Sequence, residues 1–297
     1  MWIGYGCAAL GAALFSTKAI IVKLAYAKGI NAETLLALRM GLSLPFYLAI
    51  GAIALRERRD RGIGLPDRGL VLRAAAVGLL GYWLASYTDF LGLLYISAQF
   101  ERLILFTYPA FVVVLGALFF SQPVSARALI GIAVSYAGLA VIFASKLNVL
   151  GPDVAKGAGL VLAAAVSFAL YQLFAKGLIG RIGPRLFTCI AMSAAAFAAL
   201  LQFALTQPLG SLVVGSQMLF YGVLIAIGAT VLPSFLLNAA LQKISAQANA
   251  TIGTLSPVVT ILLAVAILGE TLTWIDAAGT ALVLAGVCWF TLADRNR

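Results

Sequence analysis

Ten long apolar runs dominate this sequence. They cover residues 2–24, 32–55, 70–95, 98–120, 125–144, 156–178, 184–205, 216–242, 246–268 and 274–292, numbered spans 1 to 10 in chain order. A helix needs about 20 mostly apolar residues to cross a bilayer, and lipid offers the backbone no hydrogen-bond partner, so runs of this length predict spanning helices. The composition agrees, because 63% of the residues are hydrophobic and only 10% are charged. We therefore predict an all-α membrane protein with about ten transmembrane helices.

The basic residues predict how the chain is oriented. One side of the ten-span topology carries Arg56, Arg58, Arg59, Arg61, Arg68, Arg127, Arg181, Arg185, Lys243, Arg295 and Arg297, whereas the other carries Lys28, Lys146 and Lys156. Cytoplasmic loops are the ones enriched in Lys and Arg, so both termini should be cytoplasmic and the protein should lie in the inner (plasma) membrane. The first run lacks a basic segment before it and exceeds signal-peptide length, which predicts a retained span.

The net charge of +10 does not predict a nucleic-acid partner, because topology accounts for most of it. The arginine-rich connector 56–68 suits anionic lipid headgroups, and a phosphate-binding patch there is the alternative. The expected partners are the lipid bilayer and a small-molecule substrate.

Several kinds of chemistry are not expected. The sequence has no His, and its three cysteines, Cys7, Cys189 and Cys288, all lie inside spans without a CxxC pair. We therefore expect no metal, no cofactor and no disulfide framework. No phosphate-binding loop of GxxxxGK[ST] form is present, so ATP is not the direct energy source, and the lack of a nucleophile with a base argues against an enzyme.

The two halves of the chain repeat each other. The motif ISAQ occurs at 96–99 and 244–247, an offset of 148 residues. At that offset the paired positions are Pro109 with Pro257, Gln122 with Glu270, Gly131 with Gly279, and Gly138 with Gly286. The first spans pair at an offset of 153, where Gly4, Gly6, Phe15 and Lys23 fall on Gly157, Gly159, Phe168 and Lys176. We predict two five-helix repeats, 1–148 and 149–297.

Five spans per repeat is an odd number, so the second repeat should enter the membrane from the opposite side. Inverted-topology repeats can exchange conformations and open a central site to each side in turn, which predicts transport by alternating access. A duplication that only builds a symmetric scaffold is the alternative.

The order of proline, glycine and glutamate or glutamine residues in the last two spans of each half also resembles that of a known family. In the second half they are Pro257 in the ninth span, Gly269 and Glu270 at its end, and Gly279 and Gly286 in the tenth. This series, with its weaker copy in the first half, resembles the EamA-type members of the drug/metabolite transporter superfamily. The first half departs at Gln122, where the family often has Glu. The resemblance implies a basket-like bundle of inverted repeats around a central cavity, and export of amino acids, other small metabolites or drugs.

The two paired prolines predict cavity walls. A proline inside a helix clashes with the carbonyl four residues earlier, here that of Leu105 or Gly253. Irregular backbone at membrane depth is tolerated where it lines a cavity, so spans 4 and 9 are candidate walls, with Pro109 and Pro257 as kinks. A packing kink without ligand contact is the alternative.

Aromatic and polar side chains inside spans predict the substrate surface. The candidates are Tyr82, Trp83, Tyr87, Tyr108, Tyr171 and Asn238. Tyr82 and Trp83 are about 100° apart on a helix, so at most one of them faces the cavity squarely. Such a surface would suit amino acids with aromatic or apolar side chains, whereas ordinary core packing is the alternative.

Charged residues inside spans are costly and are candidates for function. Lys18, Arg39, Asp89 and Glu101 form the candidate gating set, with Lys18 and Asp89 as a possible pair. Their equivalents in the second repeat are neutral: Tyr171, Met192, Leu237 and Asn249. Glu101, Arg102 and Lys23 lie near span ends, so we expect these three to reach the interface by extending along the helix.

Two further questions stay open at this level. Asp89 and Glu101 are the acidic groups that could couple transport to protons, but exchange or facilitated diffusion is equally compatible with the sequence. A carrier of phosphorylated sugars or nucleotide sugars, or a multidrug exporter of the same superfamily, is the alternative function. The phosphate carrier would use Lys18, Lys23, Arg39 and Lys176.

Overall fold

The computed structural model describes residues 2–120, 126–150, 152–241 and 255–294. The described residues are almost entirely helical, with no β-strand among them. Spans 1 to 5 are Trp2–Tyr26, Ala32–Asp60, Arg68–Gly92, Ala98–Phe120 and Ala126–Leu150. Spans 6 to 10 are Asp153–Ile182, Pro184–Thr206, Ser216–Leu241, Leu255–Leu268 and Trp274–Asp294. The second ISAQ motif, Gln122 and Gly253 lie outside the described residues.

Eight of these helices are long and apolar enough to cross a membrane, and Ser256–Leu268 and Trp274–Trp289 are shorter apolar helices. The prediction of an all-α membrane protein with about ten helices is therefore confirmed, as eight candidate spans and two shorter apolar helices among the described residues. The described helix of span 9 begins at Leu255, so only part of the predicted run 246–268 is described.

The helices begin where the sequence provides caps. The side chain of Asn31 accepts a hydrogen bond from the Thr34 N–H at 2.8 Å, and that of Asp67 accepts one from the Gly69 N–H at 2.9 Å. Side-chain oxygens at this position satisfy backbone donors that have no partner inside the helix. Between spans 6 and 7, Gly183 adopts a φ of 88°, which lets the chain reverse in a connection of one residue.

The spans pack with a two-fold pseudosymmetry. Span 1 packs against spans 8 and 9 of the second repeat, and its equivalent, span 6, packs against spans 3 and 4 of the first. Span 2 packs on span 7, and span 5 packs on span 10. A span of one repeat therefore packs against the same kind of neighbouring spans as its equivalent in the other repeat. Two inverted repeats require this arrangement.

Glycines explain why spans 5 and 10 lie so close. A Cβ added at Gly138 would lie 2.6 Å from the carbonyl oxygen of Gly279, and one added at Gly286 would lie 2.5 Å from that of Gly131. These two contacts are copies of each other, since Gly131 is equivalent to Gly279 and Gly138 to Gly286. Small residues let helix backbones approach closely in a membrane, so the paired glycines position the two closing spans.

Two spans change helix type at equivalent places. Span 3 contains a π-helical segment at Leu79–Leu84, and span 8 contains one at Leu224–Val231. An offset of 148 brings the first segment onto 227–232, which overlaps the second. π-helical segments inside α-helices are rare and are frequent at functional sites.

Span 4 is broken rather than continuous. Its first helix, Ala98–Leu105, ends before a turn at Phe106 and Thr107, and the second helix begins at Tyr108, one residue before Pro109. The missing N–H and the ring of Pro109 prevent the first helix from continuing. In span 9, Pro257 is buried within the helix Leu255–Leu268.

Candidate functional site

Four charged side chains of the first repeat form a buried ionic cluster. Lys18 of span 1 lies between two carboxylates, with its Nζ 2.5 Å from Oδ2 of Asp89 in span 3 and 3.7 Å from Oε1 of Glu101 in span 4. Arg102 lies next to Glu101, with its Nε 3.9 Å from Oε2. All four residues are buried, and Glu101 has no exposed surface.

The burial corrects one expectation. Glu101 and Arg102 do not reach the interface, because their helix begins inside the protein. A Cβ on Gly157 of span 6 would meet Ile96 at 2.7 Å and Tyr95 at 2.8 Å, so span 6 covers the turn that precedes this helix. Lys23 is half-buried and lines an open recess of about 390 Å³ beside it.

Arg39 lies at the junction of the two repeats. Its Nε donates to Oγ1 of Thr230, in the π-helical segment of span 8, at 2.8 Å. Its Nη1 donates to Oγ of Ser86, just after the π-helical segment of span 3, at 2.9 Å. The guanidinium carbon lies 5.5 Å from the ring centroid of Phe90. Arg39 is 2% exposed, and no carboxylate of the described residues lies in ion-pair distance of it.

Arg39 differs from the charged residues of the ionic cluster, because no carboxylate of the described residues lies within ion-pair distance of it. In the ionic cluster, Lys18 and Arg102 lie within 4 Å of the carboxylates of Asp89 and Glu101. Among the described residues, the hydrogen-bond partners of the Arg39 side chain are hydroxyl groups, and Asp89 is the carboxylate near it beyond ion-pair distance. A guanidinium offers five donors in a planar fork, and two of them are assigned to hydroxyls here. Arg39 is thus equipped to receive an anionic group such as a carboxylate.

An aromatic cluster lies beside Arg39, between spans 3, 6 and 7. The hydroxyls of Tyr82 and Tyr171 are 2.9 Å apart, and their rings meet edge to face at 4.9 Å. Phe168 stacks on Tyr171 at 5.5 Å and meets Tyr108 of span 4 edge to face at 4.9 Å. Ser86, a hydrogen-bond partner of Arg39, lies four residues after Tyr82 in span 3, so the aromatic cluster begins about one helical turn from the guanidinium. The structure therefore brings Tyr82, Tyr108 and Tyr171 together.

Trp83 and Tyr87 point away from this cluster. The Trp83 indole N–H donates to Oε1 of Gln202 in span 7 at 2.7 Å, and the Tyr87 hydroxyl donates to Oε1 of Glu33 in span 2 at 3.3 Å. Both form polar contacts toward spans 2 and 7, so they do not share a surface with Tyr82. The side chain of Asn238 lies outside the described residues.

Residues that the sequence argument did not select complete the site. Ser86 and Thr230 have no motif that would have identified them. Glu270 stood out in the sequence, but its partner did not: its carboxylate accepts hydrogen bonds from the backbone N–H groups of Ala98 at 2.7 Å and Gln99 at 3.2 Å. Ser97 caps the same helix. The first ISAQ motif is therefore a helix start that the second repeat holds.

The described side chains do not suggest a metal centre, because no three of their His, Cys, Asp or Glu residues are grouped closely enough to hold an ion.

Ten helical spans, two pseudosymmetric repeats and a buried set of charged and aromatic side chains where the repeats meet define a multi-pass membrane transporter architecture. The chain belongs to the EamA-like transporter family, whose model matches residues 2–144 and 155–292. The family resemblance seen in the sequence is thereby confirmed.

Two relatives and one solved structure are similar to this chain. The "uncharacterized transporter YcbK" of Bacillus subtilis (strain 168) is 28% identical over 280 residues, 91% of this chain and 86% of the relative. The "probable amino-acid metabolite efflux pump" of Salmonella typhimurium (strain LT2) is 30% identical over 225 residues, 70% of this chain and 74% of the relative. A crystal structure matches 99% of this chain and 98% of its own with a TM-score of 0.65 and 17% identity, a likeness of fold.

Proposed function

We propose that this protein exports amino acids with aromatic or apolar side chains across the inner membrane by alternating access between its two repeats. Both termini face the cytoplasm in this proposal, following the distribution of basic residues. The observation that carries the proposal is Arg39, a buried guanidinium with no carboxylate of the described residues in ion-pair distance, next to a cluster of aromatic rings.

An amino acid has the two parts that these groups recognise. Its carboxylate can accept parallel hydrogen bonds from a guanidinium, a short and strong arrangement. Its side chain can pack on Tyr82 and Tyr171, where aromatic faces provide apolar contact area and a preferred geometry. The name of the Salmonella relative, an amino-acid metabolite efflux pump, agrees with this assignment.

The position of Arg39 supports alternating access. Its two hydroxyl partners belong to different repeats, Ser86 to the first and Thr230 to the second. A carboxylate that takes these donors would weaken a link between the repeats, so binding and rearrangement are connected at one side chain.

A phosphate carrier fits the site less well. The cations that it would use do not converge: Lys18 is paired with Asp89, and Lys176 is exposed. One unpaired guanidinium matches a singly charged carboxylate better than a doubly charged phosphate.

Counterflow in proteoliposomes tests the proposal. Vesicles loaded with unlabelled L-phenylalanine should take up radiolabelled L-phenylalanine, and external L-leucine should compete. Phenethylamine, which lacks the carboxylate, should compete far less if Arg39 binds that group. Exchange of glucose 6-phosphate in place of amino acids would support the phosphate carrier. Exchange of hydrophobic cations alone would support a multidrug exporter.

The variants Arg39→Gln and Arg39→Lys test whether the guanidinium of Arg39 binds the carboxylate of the amino acid. Arg39→Gln should abolish phenylalanine exchange, and Arg39→Lys should retain part of it, since lysine keeps the charge but loses the planar fork. Arg59→Gln, in the exposed end of span 2, is the matched control and should exchange like the wild type.

A further inference from the structure

The ionic cluster contains a carboxyl group whose hydrogen bonding is incomplete. Both oxygens of Glu101 and Oδ1 of Asp89 are buried without a hydrogen-bond partner among the described residues. Lys18, the ammonium that the two carboxylates share, is much closer to Asp89. Nη2 of Arg102 donates to the carbonyl of Phe15 instead, and its Nε is 3.9 Å from Glu101.

The ionised form of the Glu101 carboxyl group is therefore unfavourable at this position. A buried carboxylate is tolerated when it is paired and hydrogen-bonded, and Glu101 lacks the hydrogen bonds. Its Oε1 and Oδ2 of Asp89 are both in reach of Lys18, so the two oxygens lie within about 6 Å of each other. Neighbouring buried carboxylates favour sharing a proton, because two negative charges at this distance repel.

The titratable groups around Glu101 come from a few of the spans that pack against its helix. Span 1 contributes Lys18 and Lys23, span 3 contributes Asp89, and its own helix contributes Arg102. The end of span 9 contributes the carboxylate of Glu270, which binds the first N–H groups of this helix. Otherwise spans 5, 6 and 9 pack mainly apolar side chains on it, with the phenol of Tyr136 at its edge. Protonation of Glu101 therefore depends on the cluster and on access to water.

The helix that carries Glu101 is bound by the second repeat at its start and interrupted by a turn at its end. Ala98–Leu105 is held at its start by Glu270 of the second repeat and is separated from the rest of span 4 by the turn at Phe106 and Thr107. Release of the Glu270 contact would let this short helix shift. Glu101 would then leave the dry cluster and meet water.

The ionic cluster of the first repeat has no equivalent in the second repeat. The positions equivalent to Lys18, Asp89 and Glu101 in the second repeat are Tyr171, Leu237 and Asn249, all neutral. A buried cluster of charges is costly in a membrane, and the other repeat does without it. A role in the transport cycle accounts for that asymmetry.

We propose that Glu101 binds one proton and releases it in each transport cycle, so that export of the solute is exchanged for entry of a proton. This inference rests on the proposed function for its solute. In the occluded cluster the proton lies on Glu101, whose O–H is donated toward Asp89. When this helix shifts at the end of the bundle opposite the termini, Glu101 meets the water of the extracellular side and takes up the proton. The proton leaves Glu101 to water when the repeats open toward the cytoplasm.

The test separates coupling from exchange. Proteoliposomes with an interior more acidic than the exterior should accumulate radiolabelled L-phenylalanine against its gradient, because protons leave as the solute enters. Glu101→Gln should lose this accumulation to the level of protein-free vesicles, while counterflow at equal pH persists. Glu57→Gln, in an exposed ion pair with Arg185, is the matched control and should accumulate like the wild type.

Two results would overturn the inference while leaving the proposed function intact. One is counterflow in the wild type without any accumulation driven by the pH gradient. The other is accumulation in Glu101→Gln equal to the wild type.

A second readout does not depend on the solute. Infrared difference spectra of the purified protein between acidic and alkaline buffer should show the carbonyl stretch of protonated carboxylic acids, and this band should be smaller in Glu101→Gln by the contribution of one carboxyl group. An identical band in both proteins would contradict the inference even if phenylalanine proves not to be a substrate.

Discussion

Oε1 of Glu270 accepts a hydrogen bond of 2.7 Å from the backbone N–H of Ala98, across 172 residues of sequence. This contact joins the end of span 9 in the second repeat to the start of span 4 in the first. An anion at a helix N-terminus satisfies unpaired N–H groups and interacts favourably with the helix dipole. The contact therefore links the two repeats at the end of the bundle opposite the two termini.

Glu270→Ala should open this end. Removing a charged acceptor from two N–H groups should cost about 1.5–3 kcal/mol of stability in the closed arrangement. A cysteine placed at Ser97 in a cysteine-free background should then react faster with a membrane-impermeant maleimide. Glu270→Gln keeps an acceptor and should have a smaller effect. Equal labelling rates in all three proteins would show that Glu270 does not hold the gate.

The Lys18 and Asp89 pair should respond asymmetrically to substitution. Lys18→Met leaves two buried carboxylates without their shared ammonium, and breaking a buried pair in this way costs about 3–5 kcal/mol. Asp89→Asn should be milder, because Lys18 can turn to Glu101, 3.7 Å away. Thermal unfolding in detergent, followed by circular dichroism, measures both. The double variant should recover part of the loss, and strictly additive losses would contradict the pairing.

The glycine contact between spans 5 and 10 should not tolerate a side chain. Gly138→Ala would place a methyl group 2.6 Å from the carbonyl oxygen of Gly279, so the spans must separate at a cost of about 1–3 kcal/mol. Gly177→Ala is the matched control, since nothing lies within 4 Å of its added methyl. The same thermal measurement compares them. Similar melting temperatures for the two variants would contradict the close packing.

The aromatic cluster should determine which solutes are exchanged. Tyr82→Ala removes the ring that meets Tyr171 and should reduce exchange of phenylalanine more than that of alanine. Trp83→Ala should change this preference little, because its indole is directed to Gln202. Competition assays with both amino acids measure the preference. Unchanged preference in Tyr82→Ala, or a larger change in Trp83→Ala, would place the solute elsewhere.

The sequence predicted the fold, whereas the substrate-binding and gating residues stay predictions whose positions the structure describes. The length and hydropathy of the apolar runs predict the spans. The constant offset of 148 residues, as between Pro109 and Pro257, indicates the internal repeat. The expectation that Glu101 reaches the membrane interface is wrong. It was based on the position of Glu101 near the end of its span, whereas its side chain is fully buried. That end is covered by span 6, which a linear sequence does not show.

The partners of Arg39 could not have been predicted from the sequence. Thr230 is 191 residues away from it, and its hydroxyl reaches the guanidinium through a π-helical segment that no sequence motif marks. Contacts of this kind depend on how two repeats dock, whereas apolar periodicity only defines each helix.

Counterflow of radiolabelled L-phenylalanine in proteoliposomes, with wild type, Arg39→Gln and Arg59→Gln side by side, tests the central claim most directly. The account predicts exchange by the wild type and by Arg59→Gln, and its loss in a folded Arg39→Gln. Exchange that persists in Arg39→Gln, or a wild type that exchanges glucose 6-phosphate but no amino acid, would contradict it.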